Sequence, residues 1–298
     1  MNEVVSTFEC FGGRCTVAVS DDAAAVERAR ERLLAWHAEL TRFDAQSALS
    51  RLNADPRDAV PACPALLGLA IAAAEAGRVT GGLVDATLAG EVEDAGYRGE
   101  LRAPMPLELA LRLAPPRRPG GPSPAAGWAK VEADREAGVI RRPPGVRLDS
   151  GGLAKGLLAD VLAEELADHA TVAIDCGGDL RLTGSDPVVR DVTVESPFDG
   201  ASLHAFRLVR AGVATSGIGR RSWLTARGRP AHHLLDPATG QPAFTGVVQA
   251  TAIAPTALEA EVRAKAAVLA GPEAAHAWLP DGGVLVFDDR THTVLLSA

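Results

Sequence analysis

The segment Val146-Arg-Leu-Asp-Ser-Gly-Gly-Leu-Ala-Lys-Gly156 joins an extended stretch to a helix, and the rest of the chain is organised around it. Two prolines and Gly145 precede it, so residues 146–148 are predicted to form a short strand. From Leu153 onward, leucines and valines recur at helical spacing. The pair Gly151-Gly152 therefore marks a strand-to-helix turn, where backbone can approach a ligand closely and free N–H groups attract anions.

Lys155 falls in the first turn of this predicted helix. Positive charge at that end opposes the helix dipole, and a bound phosphate would explain it. The alternative is an ordinary tight connection that carries a solvated lysine. The segment by itself leaves both interpretations open.

Composition indicates a globular protein with a large, mostly aliphatic core. The 298 residues are 47% hydrophobic and only 4% aromatic, which suits one large domain or two closely packed ones. The formal net charge of −8 argues against nucleic acid or an anionic membrane as a partner. Because no run of about 18 apolar residues occurs, we expect no membrane span.

The beginning of the chain and its cysteines predict a cytoplasmic protein. Residues 1–5 provide neither a basic n-region nor an apolar h-region, so no signal peptide is expected. The four cysteines are scattered and form no C-x-x-C pair. Buried thiols in a reducing compartment are therefore favoured over disulfides or a metal site.

Alternating helical and strand patterns run along the whole chain. Strands are predicted at 4–8, 15–19, 128–133, 138–141, 171–175, 188–195, 202–209, 212–217, 284–287 and 293–296, and helices at 22–40, 64–80, 153–166 and 256–271. A short helix is also expected before Asn53. The Pro/Gly-rich stretch at about 114–127 is predicted to be a surface loop or linker.

The segment His232-His-Leu-Leu-Asp-Pro-Ala-Thr-Gly240 is the richest in chemically useful groups. Its Asp-Pro-x-Thr-Gly run predicts a turn. The histidines lack a third ligand at zinc spacing, and a packed structural histidine is the alternative to a catalytic one. The sequence has no G-x-S-x-G, P-loop or G-x-G-x-x-G, which disfavours an α/β-hydrolase, a P-loop protein and a Rossmann dehydrogenase.

Six segments, taken in order, resemble the ApbE family of FAD:protein FMN transferases, over about residues 8–271. They are Ser47–Asn53, Val84–Leu88, Leu148–Gly156 with Asp160, Ile174–Leu180, Ala214–Gly217 and His233–Gly240. The resemblance implies one α+β domain over residues 1–298, with mixed β-sheets, packed helices and an FAD cleft between two lobes. It also implies that FAD is split, that FMN is attached to a Thr or Ser of a target flavoprotein, and that AMP leaves with the help of Mg²⁺. Backbone donors, a cation and a base suit that chemistry.

The resemblance also implies roles for individual residues. His233, Asp236 and Lys155 are the expected catalytic groups, with His233 as base or phosphate contact and Asp236 holding its loop. The Gly152 carbonyl and Glu261 are the expected metal ligands. The expected FAD contacts are Asp85, Ala86, Thr87, Asp149, Lys155, Thr215, Ser216 and His233. Turn capping is the alternative role for Asp85, Asp179 and Asp236.

One position departs from the family pattern. Lys265 stands where the family has a threonine that helps hold the metal, and an ammonium has no lone pair to offer. Glu261 and Lys265 are i, i+4 neighbours and are predicted to pair, with the ammonium taking over the role of the metal. In the other outcome Lys265 points to solvent and Mg²⁺ still binds. A FAD pyrophosphatase and a non-catalytic FAD-binding protein are the alternative functions.

Overall fold

The computed structural model describes residues 2–99, 101 and 103–296. It contains helices and strands in a mixed α+β arrangement, which confirms the predicted fold class. The helices are α1 Ala23–Leu40, α2 Ala48–Ala54, α3 Pro64–Val79, α4 Ala89–Asp94, α5 Leu107–Arg112, α6 Ala154–Glu165 and α7 Ala257–Ala270. Single 3-10 turns lie at Gly127–Lys130 and Ala275–Trp278.

An antiparallel sheet of eight strands is the frame of the molecule, in the order β1-β2-β6-β7-β10-β15-β16-β17. Its strands are β1 Glu3–Cys10, β2 Gly13–Ser20, β6 Val172–Cys176, β7 Leu180–Thr183, β10 Ala211–Gly217, β15 Val247–Ala254, β16 Gly282–Phe287 and β17 His292–Leu296. The predicted hairpins at the two ends of the chain, β1–β2 and β16–β17, are thus its two edges.

Four smaller sheets carry the connections. Their strands are β3 Ala59–Pro61, β4 Glu132–Asp134, β5 Val139–Arg141, β8 Arg190–Glu195, β9 Ser202–Leu208, β11 Ser222–Leu224, β12 Pro230–His232, β13 Leu235–Asp236 and β14 Gln241–Pro242. The hairpin of β11 and β12 and that of β13 and β14 flank His233, so they fix where this histidine lies.

Two apolar cores lie along the large sheet. One gathers the buried faces of α1, α3 and α6 against β2 and β6. The other gathers α7 against β10, β15 and β16. Both cores consist mainly of Ala, Leu and Val, as the composition of the chain predicted. No helix in the described ranges is both long and apolar enough to cross a bilayer.

Two strand predictions were wrong. Residues 146–148 form only a single bridge, from Arg147 to Leu88, because the Asn53 side chain bonds both backbone groups of Leu148. Trp128 lies in a 3-10 turn instead of a strand, and its indole packs against Gly77, where an added Cβ would come within 2.3 Å of the ring. Tertiary packing therefore overrides the β-propensity of this tryptophan.

The Pro/Gly-rich stretch is held along the surface. The backbone N–H groups of Arg118 and Gly120 donate to the carbonyls of Phe244 and Leu269, at 3.0 and 2.8 Å. Gly121 N–H donates to the Asp236 carboxylate at 2.9 Å. These bonds tie the loop to the segment that carries His233.

Candidate active site

One cleft, which we call the central cleft, contains most of the residues that the sequence singled out. Its volume is ≈ 680 Å³, including solvent space at its open mouth. The lining residues are Leu83, Val84, Asp85, Ala86, Leu88, Val92, Tyr97, Asp149, Gly151, Gly152, Leu153, Arg221, His233, Leu234, Leu235, Pro237, Lys265 and Leu269. The cleft is therefore a mainly apolar space with a few polar groups, as is typical of ligand sites.

Backbone pairing brings the first two motifs of the cleft together. Asp149 N–H donates to the Ala86 carbonyl at 2.8 Å. The side chain of Asn53 pairs with both backbone groups of Leu148, at 2.8 Å each. These bonds fix the Asp149 turn beside the Asp85 loop, and they explain the asparagine that ends the first motif.

Asp85 and Asp149 both cap turns at the wall of the cleft. Asp85 Oδ1 accepts from the N–H and hydroxyl of Thr87, at 2.8 and 2.6 Å. Its Oδ2 is buried and has no hydrogen-bond partner among the described residues. Burial raises the pKa of Asp85, against the Thr87 bonds that lower it. This free acceptor atom is suited to a donor on a bound ligand.

Helices α6 and α7 cross at very close range beside the Gly151-Gly152 turn. An added Cβ on Gly156 would lie 2.7 Å from the Ala257 carbonyl oxygen, so only glycine permits this approach. The Asp160 carboxylate accepts from the N–H groups of Ala257 and Leu258, at 2.9 Å each. This capping sets the start of α7 and thereby the positions of the site residues further along it.

Four charged side chains, Lys155, Asp179, Glu261 and Lys265, form what we call the buried charge cluster. Lys155 forms an ion pair with Asp179. Lys265 Nζ lies 3.9 Å from Glu261 Oε1, as the helical spacing predicted, while Gly156 N–H donates to Glu261 Oε2 at 3.0 Å. The cluster therefore brings two basic and two acidic groups together at the cleft, with Lys265 on its wall.

The cluster changes the proton affinity of its members. Burial and the Asp179 carboxylate raise the pKa of Glu261 to about 7, against Lys265 and Lys155, which lower it. Burial lowers the pKa of Lys155, but Asp179 and Glu261 outweigh burial and hold it above its ordinary value. Burial lowers the pKa of Lys265, against the pull of Glu261 and Asp179.

Lys155 does not line the central cleft. Its side chain is only 16% exposed and points to Asp179, so the solvated alternative is wrong. The carboxylate of Asp179, 1% exposed, compensates for the unfavourable helix dipole at this position. The expected contact of Lys155 with FAD remains a prediction.

His233 faces the cleft between the two small hairpins. Its Nδ1 lies 3.4 Å from the Arg221 carbonyl oxygen, which favours a proton on Nδ1 and a lone pair on Nε2. Burial, together with the charges of Arg221, His232 and Lys265, holds the pKa of His233 well below its ordinary value. The imidazole is therefore neutral at pH 7, with its Nε2 lone pair available as a hydrogen-bond acceptor.

Besides Lys155 and Glu261, four other predicted site residues lie outside the cleft lining. Thr87 holds Asp85. Asp236 accepts from Gly121 N–H, Ala238 N–H and the Thr239 hydroxyl, so it organises its own turn, which was the alternative role. Thr215 lies on β10 with its hydroxyl 2.8 Å from that of Thr251. Ser216 is buried on the same strand.

Sequence reasoning missed three residues at the cleft. Arg221 lines it and brings a second cation close to His233. Tyr97 stacks on Trp223 at 5.4 Å. Arg42 lies over Tyr97 with its Nε 3.4 Å from Asp149 Oδ2. The single tyrosine of the chain was a signal that could have been used, whereas nothing in the sequence distinguished the two arginines from the others.

The residues present do not fit a magnesium site. The Glu261 carboxylate already accepts from Gly156 N–H and faces Lys265, and Asp179 is paired with Lys155. No group of three or more His, Cys, Asp or Glu side chains in the described part of the chain could hold a metal ion. Adding a dication here would leave positive charge uncompensated in a buried place.

Sequence comparison finds relatives named FAD:protein FMN transferase. The FAD:protein FMN transferase of Treponema pallidum is 30% identical over 49% of this chain, which spans 45% of that protein. The Klebsiella pneumoniae protein of the same name is 26% identical over 83% of this chain and 71% of its own length.

Solved structures share the fold. The ApbE protein of Thermotoga maritima superposes with a TM-score of 0.80 at 23% identity, covering 99% of this chain and 97% of its own. The flavin transferase ApbE of Vibrio cholerae gives 0.73 at 18% identity, covering 100% and 97%. The model of the ApbE family matches residues 11–286, and the chain therefore belongs to the ApbE family.

Proposed function

We propose that this protein transfers FMN from FAD to a Thr or Ser hydroxyl of a target flavoprotein. The acceptor oxygen attacks the phosphorus of the FMN half and loses its proton, the bond to the AMP phosphate breaks, and AMP leaves. Family membership supports this reaction, as do the names of the relatives. A single arrangement in the structure carries it: a neutral histidine beside two cations in a mainly apolar cleft.

Each part of the cleft has a place in this reaction. The wall formed by Leu88, Val92 and Leu235 suits a flat ring system. Arg221 and Lys265 suit the two phosphates, because fixed cations stabilise charge that develops on phosphoryl oxygens. The Nε2 lone pair of His233 would accept the proton of the attacking Thr or Ser hydroxyl.

Magnesium has no step in this proposal, because Glu261, its expected carboxylate ligand, accepts from Gly156 N–H and faces Lys265. The buried, free thiols of Cys10, Cys15 and Cys176 support a reducing, cytoplasmic setting. The unpaired Oδ2 of Asp85 supports its expected role as an FAD contact.

The test measures both products of FAD cleavage. The protein is incubated with FAD and a flavoprotein that carries an accessible Thr, and with the matched Thr→Ala acceptor as control. We expect AMP release together with covalent flavin on the first acceptor only, detected by intact mass and in-gel fluorescence. AMP and free FMN without a labelled acceptor would indicate a FAD pyrophosphatase, and bound FAD without AMP would indicate a non-catalytic flavin-binding protein.

A further inference from the structure

Lys265 is an unusual lysine for the middle of a helix. Its side chain is 13% exposed, yet it forms part of the wall of the central cleft. An added Cβ on Gly152 would lie 2.8 Å from Lys265 Cε, so the aliphatic stem lies directly on the glycine turn. The ammonium therefore lies at the wall of the cleft, beside the glycine turn.

The acidic groups near Lys265 leave its ammonium able to bind a further acceptor. Asp179 is engaged with Lys155, and Glu261 is shared between Gly156 N–H and Lys265 at 3.9 Å. A distance of 3.9 Å is longer than a hydrogen bond, so the contact with Glu261 is electrostatic and leaves the donors of Lys265 free for another acceptor. Phosphate oxygens are strong acceptors of this kind.

Other cations lie at the same end of the cleft. Arg221 and Lys155 both lower the pKa of Lys265 through their charge, and Arg221 and Lys265 act on His233 in the same way. Arg221 also lines the cleft, and its Nη2 donates to the Phe11 carbonyl at 3.0 Å. An anion with two phosphates is the ligand that such a group of cations recognises.

We propose that the Lys265 ammonium is the resident cation of the cleft: together with Arg221 it compensates the two negative charges of the FAD diphosphate, so the reaction proceeds without a metal ion. This rests on the proposed function and deepens it. Lysine replaces a dication that the residues cannot hold, and it remains on the protein through every turnover. The arrangement makes Lys265 a catalytic residue that touches the substrate.

The first measurement is binding, which does not depend on turnover. FAD and riboflavin are titrated by calorimetry in EDTA against the native protein, Lys265→Met and Lys265→Arg. We expect Lys265→Met to weaken FAD binding roughly 10- to 100-fold, the range for one charge-assisted contact, and to leave riboflavin binding unchanged. Lys130→Met is the matched control, because Lys130 is exposed on the 3-10 turn after the Pro/Gly-rich stretch.

The second measurement is the rate of AMP release from FAD in EDTA and in graded Mg²⁺. We expect the native rate to change less than about 2-fold with Mg²⁺, and Lys265→Met to lose roughly 10²-fold or more, the scale for removing one electrostatic donor. Lys265→Thr frees Glu261 and should gain a dependence on Mg²⁺. Circular dichroism checks that each variant folds. If Lys265→Met does not fold, Lys265→Arg keeps the test valid.

The outcomes separate the two proposals. If the native protein transfers FMN only with Mg²⁺, or if Lys265→Met keeps full FAD affinity and rate, the role of Lys265 is refuted while the transferase function stands. If the native protein binds riboflavin and FAD equally and releases no AMP under any condition, the proposed function fails and the role of Lys265 fails with it. If FAD binding in EDTA requires Lys265, the proposed role of Lys265 is supported even when no acceptor protein is present.

Discussion

His232 makes the fold sensitive to acid, and the size of the effect follows from its surroundings. The side chain is 1% exposed, packs edge-on against Phe244 at 4.8 Å, and has neither ring nitrogen hydrogen-bonded to a described residue. Burial lowers its pKa from 6.5 to about 3. The folded protein therefore keeps His232 neutral over a range in which the unfolded chain protonates it.

The sign of the pH effect follows from linkage. A base whose pKa is lowered by folding contributes stability that is present above pH 6.5 and is lost as pH falls toward about 3. Each pH unit in this window is worth about 1.4 kcal/mol. Lowering the pH from 7.5 to 5 should therefore destabilise the native protein by ~2 kcal/mol more than a variant that has no titrating group at this position.

The assay is urea unfolding of the native protein and His232→Leu at pH 9, 7.5, 6 and 5. Leucine keeps the site apolar, and the other titrating groups cancel in the difference between the two proteins. We expect a constant difference above pH 7.5 and a relative gain of ~2 kcal/mol for His232→Leu at pH 5. A difference that stays constant down to pH 5 would show that His232 accepts a proton without leaving its place, and would refute the argument.

Three further substitutions test the site and its frame. His233→Ala should slow AMP release from FAD by roughly 10²- to 10⁴-fold in initial-rate assays while the circular dichroism melt stays native-like, and full activity in a folded variant would make this histidine structural. Asp160→Ala removes two 2.9 Å bonds to the start of α7 and should cost roughly 2–4 kcal/mol in urea unfolding; Asp160→Asn should cost less, and a loss below about 0.5 kcal/mol would contradict the capping role. Lys155→Ala leaves the Asp179 carboxylate buried without its partner and should cost roughly 3–5 kcal/mol, with part regained when Asp179→Ala is added. If Lys155→Ala instead weakens FAD binding at unchanged stability, the sequence-based role as a substrate contact is the correct one.

Local sequence patterns were sufficient for the long elements around the site. The leucine spacing predicted α6, and the helical pattern over residues 256–271 predicted α7, at whose start Thr256 accepts from Glu259 N–H at 3.2 Å. The i, i+4 contact of Glu261 with Lys265 followed from helix geometry alone. Each of these depends on residues a few positions apart, so the sequence contains the whole interaction.

Elements defined by distant partners were not predictable in this way. The strand β15 is buried along almost its whole length, so it shows no alternation, and a short apolar run can equally belong to a helix. The short strands β11 to β14 exist only because they pair with each other around His233. Their partners and register are set by the packing of the whole chain.

The electrostatics of the site were decided by tertiary structure. The turn after β6 brings Asp179 to Lys155 from 24 residues away. Arg221 reaches His233 because β11 pairs with β12, and Lys265 reaches Gly152 because Gly156 lets α6 and α7 approach to backbone contact. The sequence determined which charges the protein carries and which helices present them. Only the fold decided which charges meet, because Coulomb energies depend on distance and burial, and neither is local in the chain.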